Sequence, residues 1–186
     1  MKEIALKHYI IPEKIGDGAI VDVGACMGIV TQALIEMFPD RLVYAVEPSH
    51  RCQKILRERE WSIHPPSMIN AALVASGNKE VAFVEQQGGK WTKERGHIKG
   101  TRAGLENTIT YKSAVVSIER LLHLCGKIAY LKMSIPQGGL DILRTVRGVG
   151  QLSVEMNPKY HKEAIEILSN QGYCVVVVNK DVVAYV

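Results

Sequence analysis

Val21-Asp22-Val23-Gly24-Ala25-Cys26-Met27-Gly28-Ile29-Val30-Thr31 is the stretch on which the fold turns. Ahead of it, Gly18 to Val23 is a short apolar run of strand type. Behind it, Val30, Ala33, Leu34, Met37 and Phe38 recur at helical spacing until Pro39-Asp40 stops them. The glycines between therefore lie on a tight strand-to-helix turn, where the lack of a Cβ lets the backbone bend sharply and approach a ligand. In open α/β sheets, ligands bind at the carboxyl ends of the strands, where such turns sit.

The same alternation continues outward. Arg41 to Val46 is the next strand and closes on Glu47-Pro48; Ser49 to Glu60 reads as a helix with Cys52, Ile55 and Leu56 inward. A weak strand near Met68 to Ala72 follows the His64-Pro65-Pro66 break. Val81 to Glu85 and Thr108 to Val116 are strand-like, and between them about 86–107 reads as a loop-rich insertion, dense in glycine and charge. Ile118, Leu121, Leu122 and Cys125 mark a short amphipathic helix. Lys127 to Met133 is a strand, Gly139 to Arg147 a helix, and Gln151 to Met156 a strand. His161, Ala164, Ile165 and Leu168 belong to a helix that Gly172 ends. Cys174 to Val178 and Val182 to Val186 are separated only by Asn179-Lys180-Asp181, too short for the crossover that a parallel pair needs. The expectation is an α/β, doubly wound, mostly parallel sheet with one antiparallel strand contributed by a C-terminal hairpin.

Composition sets the limits. The chain has 186 residues, 47% apolar and 23% charged, which fits one ordinary domain over 1–186 with a full core and argues against disorder. The longest apolar run, Tyr173 to Val178, is too short to span a bilayer, and Met1 to Lys7 carries no signal-peptide core, so no membrane partner is expected. Cys26, Cys52, Cys125 and Cys174 show no CxxC pairing and read as core residues or thiols of a reducing compartment, which makes cytoplasmic the expected location. A formal charge of +4 suits an acidic substrate or weak nucleic-acid contact without requiring either.

The turn is not a dinucleotide fingerprint. With the second glycine of GxGxxG set at Gly24, Asp22 and Met27 occupy the other two glycine positions, so a diphosphate-bearing cofactor such as NAD or FAD is not supported. The pattern is D-x-G-x-x-x-G with an acid closing the next strand. Glu47 there can accept both hydroxyls of a ribose, and the loop suits a nucleoside ligand carrying a cation and a carboxylate. The bland alternative is a structural turn with an exposed Glu47.

At these residues the chain resembles class I S-adenosylmethionine (SAM)-dependent methyltransferases, and within them the FkbM-type family. Val21 to Thr31 is similar to that family's VDVGAxxGxxT opening, and Glu47-Pro48 to the EP that ends its second strand. Asn70-Ala71-Ala72-Leu73 with Gly77 resembles its N-x-A-L-x-x-x-G segment. Val116 to Leu122, Tyr130-Leu131-Lys132-Met133 and Ser153-Val154-Glu155-Met156 resemble its later segments. The resemblance implies a seven-stranded sheet with an antiparallel last strand, and SAM as cofactor. It further implies that Gly24, Ala25 and Gly28 line the methionine part of SAM, with Asp22 orienting the loop. Glu47 would hold the ribose, and Asn70 and Ala71 would lie near the adenine. The implied activity is methyl transfer to an oxygen of a small molecule or sugar.

One segment departs from the family. Where K-I-D-x-E-G-A-E-x-x-x-L is usual, Lys132-Met133-Ser134-Ile135-Pro136-Gln137-Gly138-Gly139-Leu140-Asp141-Ile142-Leu143 stands, with three carboxylates gone. A carboxylate base or carboxylate-held metal at that place is therefore unsupported. Transfer to a hydroxyl still requires that its proton leave. Lys132, against a snorkelling side chain at the sheet edge, and Glu155, against a carboxylate satisfied by backbone donors, are the candidate bases, beside Ser134. His97 and His161 read as solvated, and no histidines have metal-ligand spacing, so no metal is expected.

Lys90, Trp91, Lys93, Arg95, His97, Lys99 and Arg102 could grip an acidic acceptor or RNA, or form a solvated loop. The readings that compete with a small-molecule methyltransferase are thus a SAM- or S-adenosylhomocysteine (SAH)-binding protein without catalysis, and an RNA methyltransferase. Acceptor specificity is expected from loops, a second copy or a partner subunit.

Overall fold

The structure is a computed structural model that describes residues 10–76, 80–86, 96–98, 108–134 and 139–186. A seven-stranded sheet forms its centre. Its strands are β1 (Ala19–Val23), β2 (Val43–Val46), β3 (Ser67–Ile69), β8 (Ile128–Ser134), β9 (Val149–Glu155), β10 (Cys174–Val178) and β11 (Asp181–Tyr185), in the spatial order β10-β11-β9-β8-β1-β2-β3. The pairs β1–β2, β1–β8, β2–β3 and β8–β9 are parallel, whereas β11 lies antiparallel between β9 and β10. The expected doubly wound sheet with an antiparallel C-terminal strand is therefore present. The hairpin turn is one residue tighter than expected, because Asp181 already pairs with Val178. Asn179, at φ 57°, takes the left-handed conformation that such a turn needs and that asparagine tolerates.

Strand alternation decides what each face carries. Val21 and Val23 of β1 point to the face that also buries Leu131, Met133, Leu152 and Val154. That face is covered by α3 (Ile118–Cys125), α4 (Gly139–Thr145) and α5 (His161–Ser169) through Leu121, Leu143 and Leu168. Ile20 and Tyr130 point the other way, onto Leu34 and Ile35 of α1 (Ile29–Met37). On the same side Ala45 meets Leu56 of α2 (His50–Glu58). Each such side chain, fully buried, contributes about 1.5–3 kcal/mol relative to exposure. Both β1 neighbours are parallel and both faces are covered, so all five of its residues are buried.

The weak strand read near Met68 to Ala72 is two elements. β3 ends at Ile69, and after Asn70-Ala71 the chain leaves the central sheet as β4 (Ala72–Leu73). β4 pairs parallel with β7 (Thr108–Val116), which pairs antiparallel with β5 (Glu80–Gln86), and β5 with β6 (Gly96–Ile98). These four form a second sheet in the order β4-β7-β5-β6. Within the stretch read as a loop, Gly96–Ile98 therefore form a strand; the rest of 87–107 lies outside the described residues. No helix among the described residues is long and apolar enough to cross a membrane.

Candidate active site

The turn after β1 closes by hydrogen bonds to the neighbouring strand. Gly24 N and Ala25 N both donate to Val46 O, at 2.9 and 3.3 Å, and Gly28 N donates to Ala25 O at 2.8 Å. Gly24 has φ 74°, and a Cβ there would stand 3.0 Å from Ser134 O, so the end of β1 can lie against the end of β8 only as glycine. Gly28, at φ 78°, precedes the first residue of α1, and a Cβ there would meet Leu56 at 2.7 Å and Trp61 at 2.8 Å. Cys26 also takes a left-handed φ of 50°, uncommon for a residue with a Cβ.

Asp22 anchors the base of this loop. It is fully buried, accepts a hydrogen bond from Thr31 Oγ1 at 2.7 Å, and lies 3.0 Å from Lys132 Nζ. One carboxylate thus ties β1 to α1 and to β8, where register sets Lys132 beside Asp22. Lys132 is 7% exposed, so it does not snorkel at the sheet edge; its Nζ is paired with Asp22.

Glu47 is 4% exposed, which excludes the reading of an exposed carboxylate beside a structural turn. Its Oε2 accepts from Cys26 N at 2.7 Å and its Oε1 from Ser49 N at 2.8 Å. Burial pushes its pKa up to about 7, against the pull of those two N–H groups; the charge of Asp22 raises it further and Lys132 lowers it. Ser49 also caps α2, its side chain accepting from Cys52 N at 3.0 Å, and Gln53 Nε2 donates to Glu47 O at 2.9 Å. The carboxylate is thereby fixed at the end of β2 with lone pairs left over for a ligand. Asn70 and Ala71 follow directly: Ile69 O accepts from both Glu47 N and Ala71 N, at 3.0 Å each, with Asn70 exposed and Ala71 buried.

Ser134 and Glu155 face each other at the ends of β8 and β9. The serine hydroxyl donates to Glu155 Oε2 at 3.0 Å, and Glu155 is exposed. Glu155 is the last residue of its strand, and a side-chain hydroxyl is the donor seen on it among the described residues. Gly77, Ile135 to Gly138 with Pro136 and Gln137, and the basic stretch apart from residues 96–98 lie outside the described residues, and the side chain of His97 is not described. His161 is the first residue of α5 and half-buried rather than solvated. Among the described residues no three His, Cys, Asp or Glu group as a metal site.

Two features of the site escape sequence reasoning. Tyr111, on β7 of the second sheet, donates from its hydroxyl to the buried Glu85 at 2.7 Å and accepts from His50 N at 3.1 Å. Its ring stacks on His50 at 4.1 Å, so the second sheet leans on the segment just after Glu47. Burial and Glu85 push the phenol pKa well above its usual value. The other feature is that Cys52 Sγ lies 3.7 Å from Cys26 Sγ. The only signal for either is the residue types; the distances come from pairings remote in sequence.

No family model matches the chain, and no curated protein does. Solved structures do resemble it. Precorrin-6y C5,15-methyltransferase from Geobacter metallireducens GS-15 aligns over 98% of this chain and 84% of its own, with TM-score 0.55 and 12% identity. The fibrillarin pre-rRNA processing protein of Methanococcus jannaschii aligns over 95% and 68%, with TM-score 0.56 and 16% identity. A ribosomal protein L11 methylase from Lactobacillus delbrueckii subsp. bulgaricus aligns over 98% and 74%, with TM-score 0.52 and 10% identity. At such identities the likeness is one of fold.

Proposed function

We propose that the chain is a SAM-dependent methyltransferase acting on an oxygen of a small molecule or sugar. One observation carries this reading: the buried Glu47 carboxylate is held at the end of β2 by an N–H of the glycine loop itself. Loop and acid thus form one cradle, with a hydroxyl-accepting group at one end and a tight backbone turn at the other. The residues present fit SAM. Glu47 would take the ribose, the Gly24–Gly28 turn the methionine part with its charged ends, and Asn70 and Ala71 the adenine side. When bound, SAM supplies an electrophilic methyl group on a sulfonium. The methyl-acceptor class follows the FkbM resemblance.

The chain's own contribution is positioning and a proton acceptor. Lys132 is paired with Asp22, which favours Glu155 for that role. Glu155 is exposed beside Ser134, whose backbone abuts Gly24, so it stands at the rim of the cradle where an acceptor hydroxyl would arrive. Ser134 orients the carboxylate through its hydroxyl; Glu155 takes the proton from the acceptor.

Thermal unfolding with and without SAM, SAH and NAD tests the cofactor. A ligand at about 100 times its dissociation constant adds roughly 2.7 kcal/mol, which raises Tm by about 5–11 °C for a chain of this size. A shift with SAM and SAH but not NAD is expected; no shift with either overturns the reading. Turnover is tested by Glu155→Gln, expected to keep the SAM shift and lose methyl transfer by about a hundredfold or more. An unchanged rate in that variant would remove Glu155 from its role.

A further inference from the structure

Cys26 belongs to the glycine loop and Cys52 to the first turn of α2, yet their sulfurs lie 3.7 Å apart, with the Cys52 thiol directed at Cys26 Sγ. Cys26 is half-buried, whereas Cys52 is 4% exposed. The two remaining cysteines are elsewhere: Cys125 ends α3 and Cys174 begins the edge strand β10. The Cys26 backbone N–H holds Glu47 Oε2 at 2.7 Å, and Cys52 N is the amide that the Ser49 cap accepts from, one residue pair away from Glu47 Oε1. Cys26 is therefore mounted on backbone that fixes the carboxylate, and Cys52 on the helix that Ser49, the other donor to that carboxylate, caps.

We infer that Cys26 and Cys52 form a reversible dithiol–disulfide site that sets whether the cradle can bind its nucleoside ligand. The oxidant class is a hydroperoxide. The Cys26 sulfur attacks one peroxide oxygen, breaking the O–O bond; Cys26 becomes a sulfenic acid, and the leaving oxygen departs as water or an alcohol. The Cys52 sulfur then attacks the sulfenic sulfur, the S–S bond forms, and the hydroxyl leaves with the Cys52 proton as water. Two thiols are oxidised by two electrons and the peroxide is reduced by two. A small dithiol reverses the step.

Geometry gives the consequence. Bonded sulfurs are about 2.0 Å apart, so the pair must close from 3.7 Å. The movement falls on Cys26, since Cys52 is embedded in a helix, while Cys26 sits in a left-handed turn between Gly24 and Gly28. Drawing Cys26 toward α2 displaces its N–H from Glu47. A buried carboxylate that loses one of its two backbone donors no longer presents its free lone pairs in the same direction. The loss of one charge-assisted hydrogen bond corresponds to roughly tenfold to a hundredfold in affinity. This consequence for SAM rests on the function proposed above.

The test uses the full chain, reduced, then treated with hydrogen peroxide, then re-reduced with dithiothreitol. Peptide mapping is expected to find Cys26 linked to Cys52, with an intact mass two hydrogens lower. Calorimetry is expected to give SAM binding at least about tenfold weaker in the oxidised chain, restored by dithiothreitol. Cys26→Ala, which lacks the thiol that peroxide attacks first, should bind SAM with an affinity that peroxide does not alter, relative to its own untreated state. A Cys125→Ser/Cys174→Ser chain should respond as the parent does. Linkage through Cys125 or Cys174, or over-oxidation of Cys26 with no link, overturns the inference. So does a linked chain that binds SAM as tightly as the reduced one. If the reduced chain binds no SAM, the proposed function fails, while the linked peptide still stands. Hydrogen exchange at the amides of residues 24–28 and 49 then decides the effect on the loop: a change on linkage upholds it, and unchanged protection overturns it.

Discussion

Glu47 is stabilised in two opposing ways, and the balance makes its titration measurable. Two backbone donors favour the carboxylate, yet burial outweighs them and lifts the pKa from 4.5 to about 7. Between those values the folded chain keeps a proton that the unfolded chain has released, so stability falls as pH rises through that window and levels off above about 7. The amount lost is on the order of 3 kcal/mol. Urea unfolding at about pH 5 and about pH 8 is expected to show that slope in the parent chain and not in Glu47→Gln. Ligand binding has the opposite sign. In the proposed SAM complex ribose hydroxyls would donate to the ionised carboxylate, so SAM affinity should rise as pH climbs through about 7, and Glu47→Gln should bind weakly with no such rise. Asp22 poses a different problem. Its ion pair with Lys132 lies wholly inside the protein, so Asp22→Ala leaves a buried ammonium without its counter-charge. That is expected to cost about 3–5 kcal/mol in urea unfolding, and Asp22→Ala/Lys132→Met should recover a good part of it. Recovery of nothing would mean that the Thr31 bond, not the ion pair, is what Asp22 supplies.

At the scale of elements, the two loop glycines do different work, and alanine at each should separate them. At Gly24 the new Cβ would press on Ser134 O, which belongs to a strand paired on both sides and cannot yield. The loop must lift instead, so Gly24→Ala should lose SAM binding while the chain still folds. At Gly28 the Cβ would meet the side chains of Leu56 and Trp61, so Gly28→Ala forces α1 and α2 apart. A left-handed alanine and an overpacked contact together cost about 2–4 kcal/mol, read as a lower Tm without ligand. Equal losses of binding and stability in both variants would contradict this division. The sequence made the elements legible wherever the signal is local. Periodicity marks β1, α1, β8 and β9 within a residue or two, and the Ser49 cap and Asn179 turn carry their own chemistry. It also marks as candidate site residues those that share one turn, Asp22, Gly24 and Gly28, and the acid that ends the next strand. It could not pair Asp22 with Lys132, Ser134 with Glu155, or Cys26 with Cys52, because those contacts depend on strand order and helix placement. For the same reason β3 and β4 read as one strand in the sequence: two residues carry no period, and only pairing with the distant β7 makes Ala72–Leu73 a strand of another sheet.

The whole molecule is two sheets of unequal protection. The central sheet is covered on both faces, and β8 and β9 are buried over most of their length. In the second sheet β7 alternates toward solvent, with Ser113 and Val116 its buried residues. The chain passes between the sheets at Asn70-Ala71 and again at Ser117, and Tyr111 adds a side-chain link, bonding Glu85 within the second sheet and His50 N on α2. Its hydroxyl lies 3.3 Å from Pro48 O as well, so the contact lies beside Glu47. A structure built this way should open in parts, with the second sheet exchanging its amides before the first. Tyr111→Phe keeps the ring stacked on His50 but removes the hydroxyl, leaving Glu85 buried without its donor at a cost of about 1–3 kcal/mol. Hydrogen exchange followed by mass spectrometry is expected to show faster exchange in β5, in β7 and at His50 N, with β8 and β9 unchanged. Because His50 follows the Glu47-Pro48-Ser49 segment, the same variant should weaken SAM binding a fewfold without any change in residues of the cradle. If protection falls equally in both sheets, the molecule opens as one unit, and Tyr111 is a strut of the whole fold rather than a link between its parts.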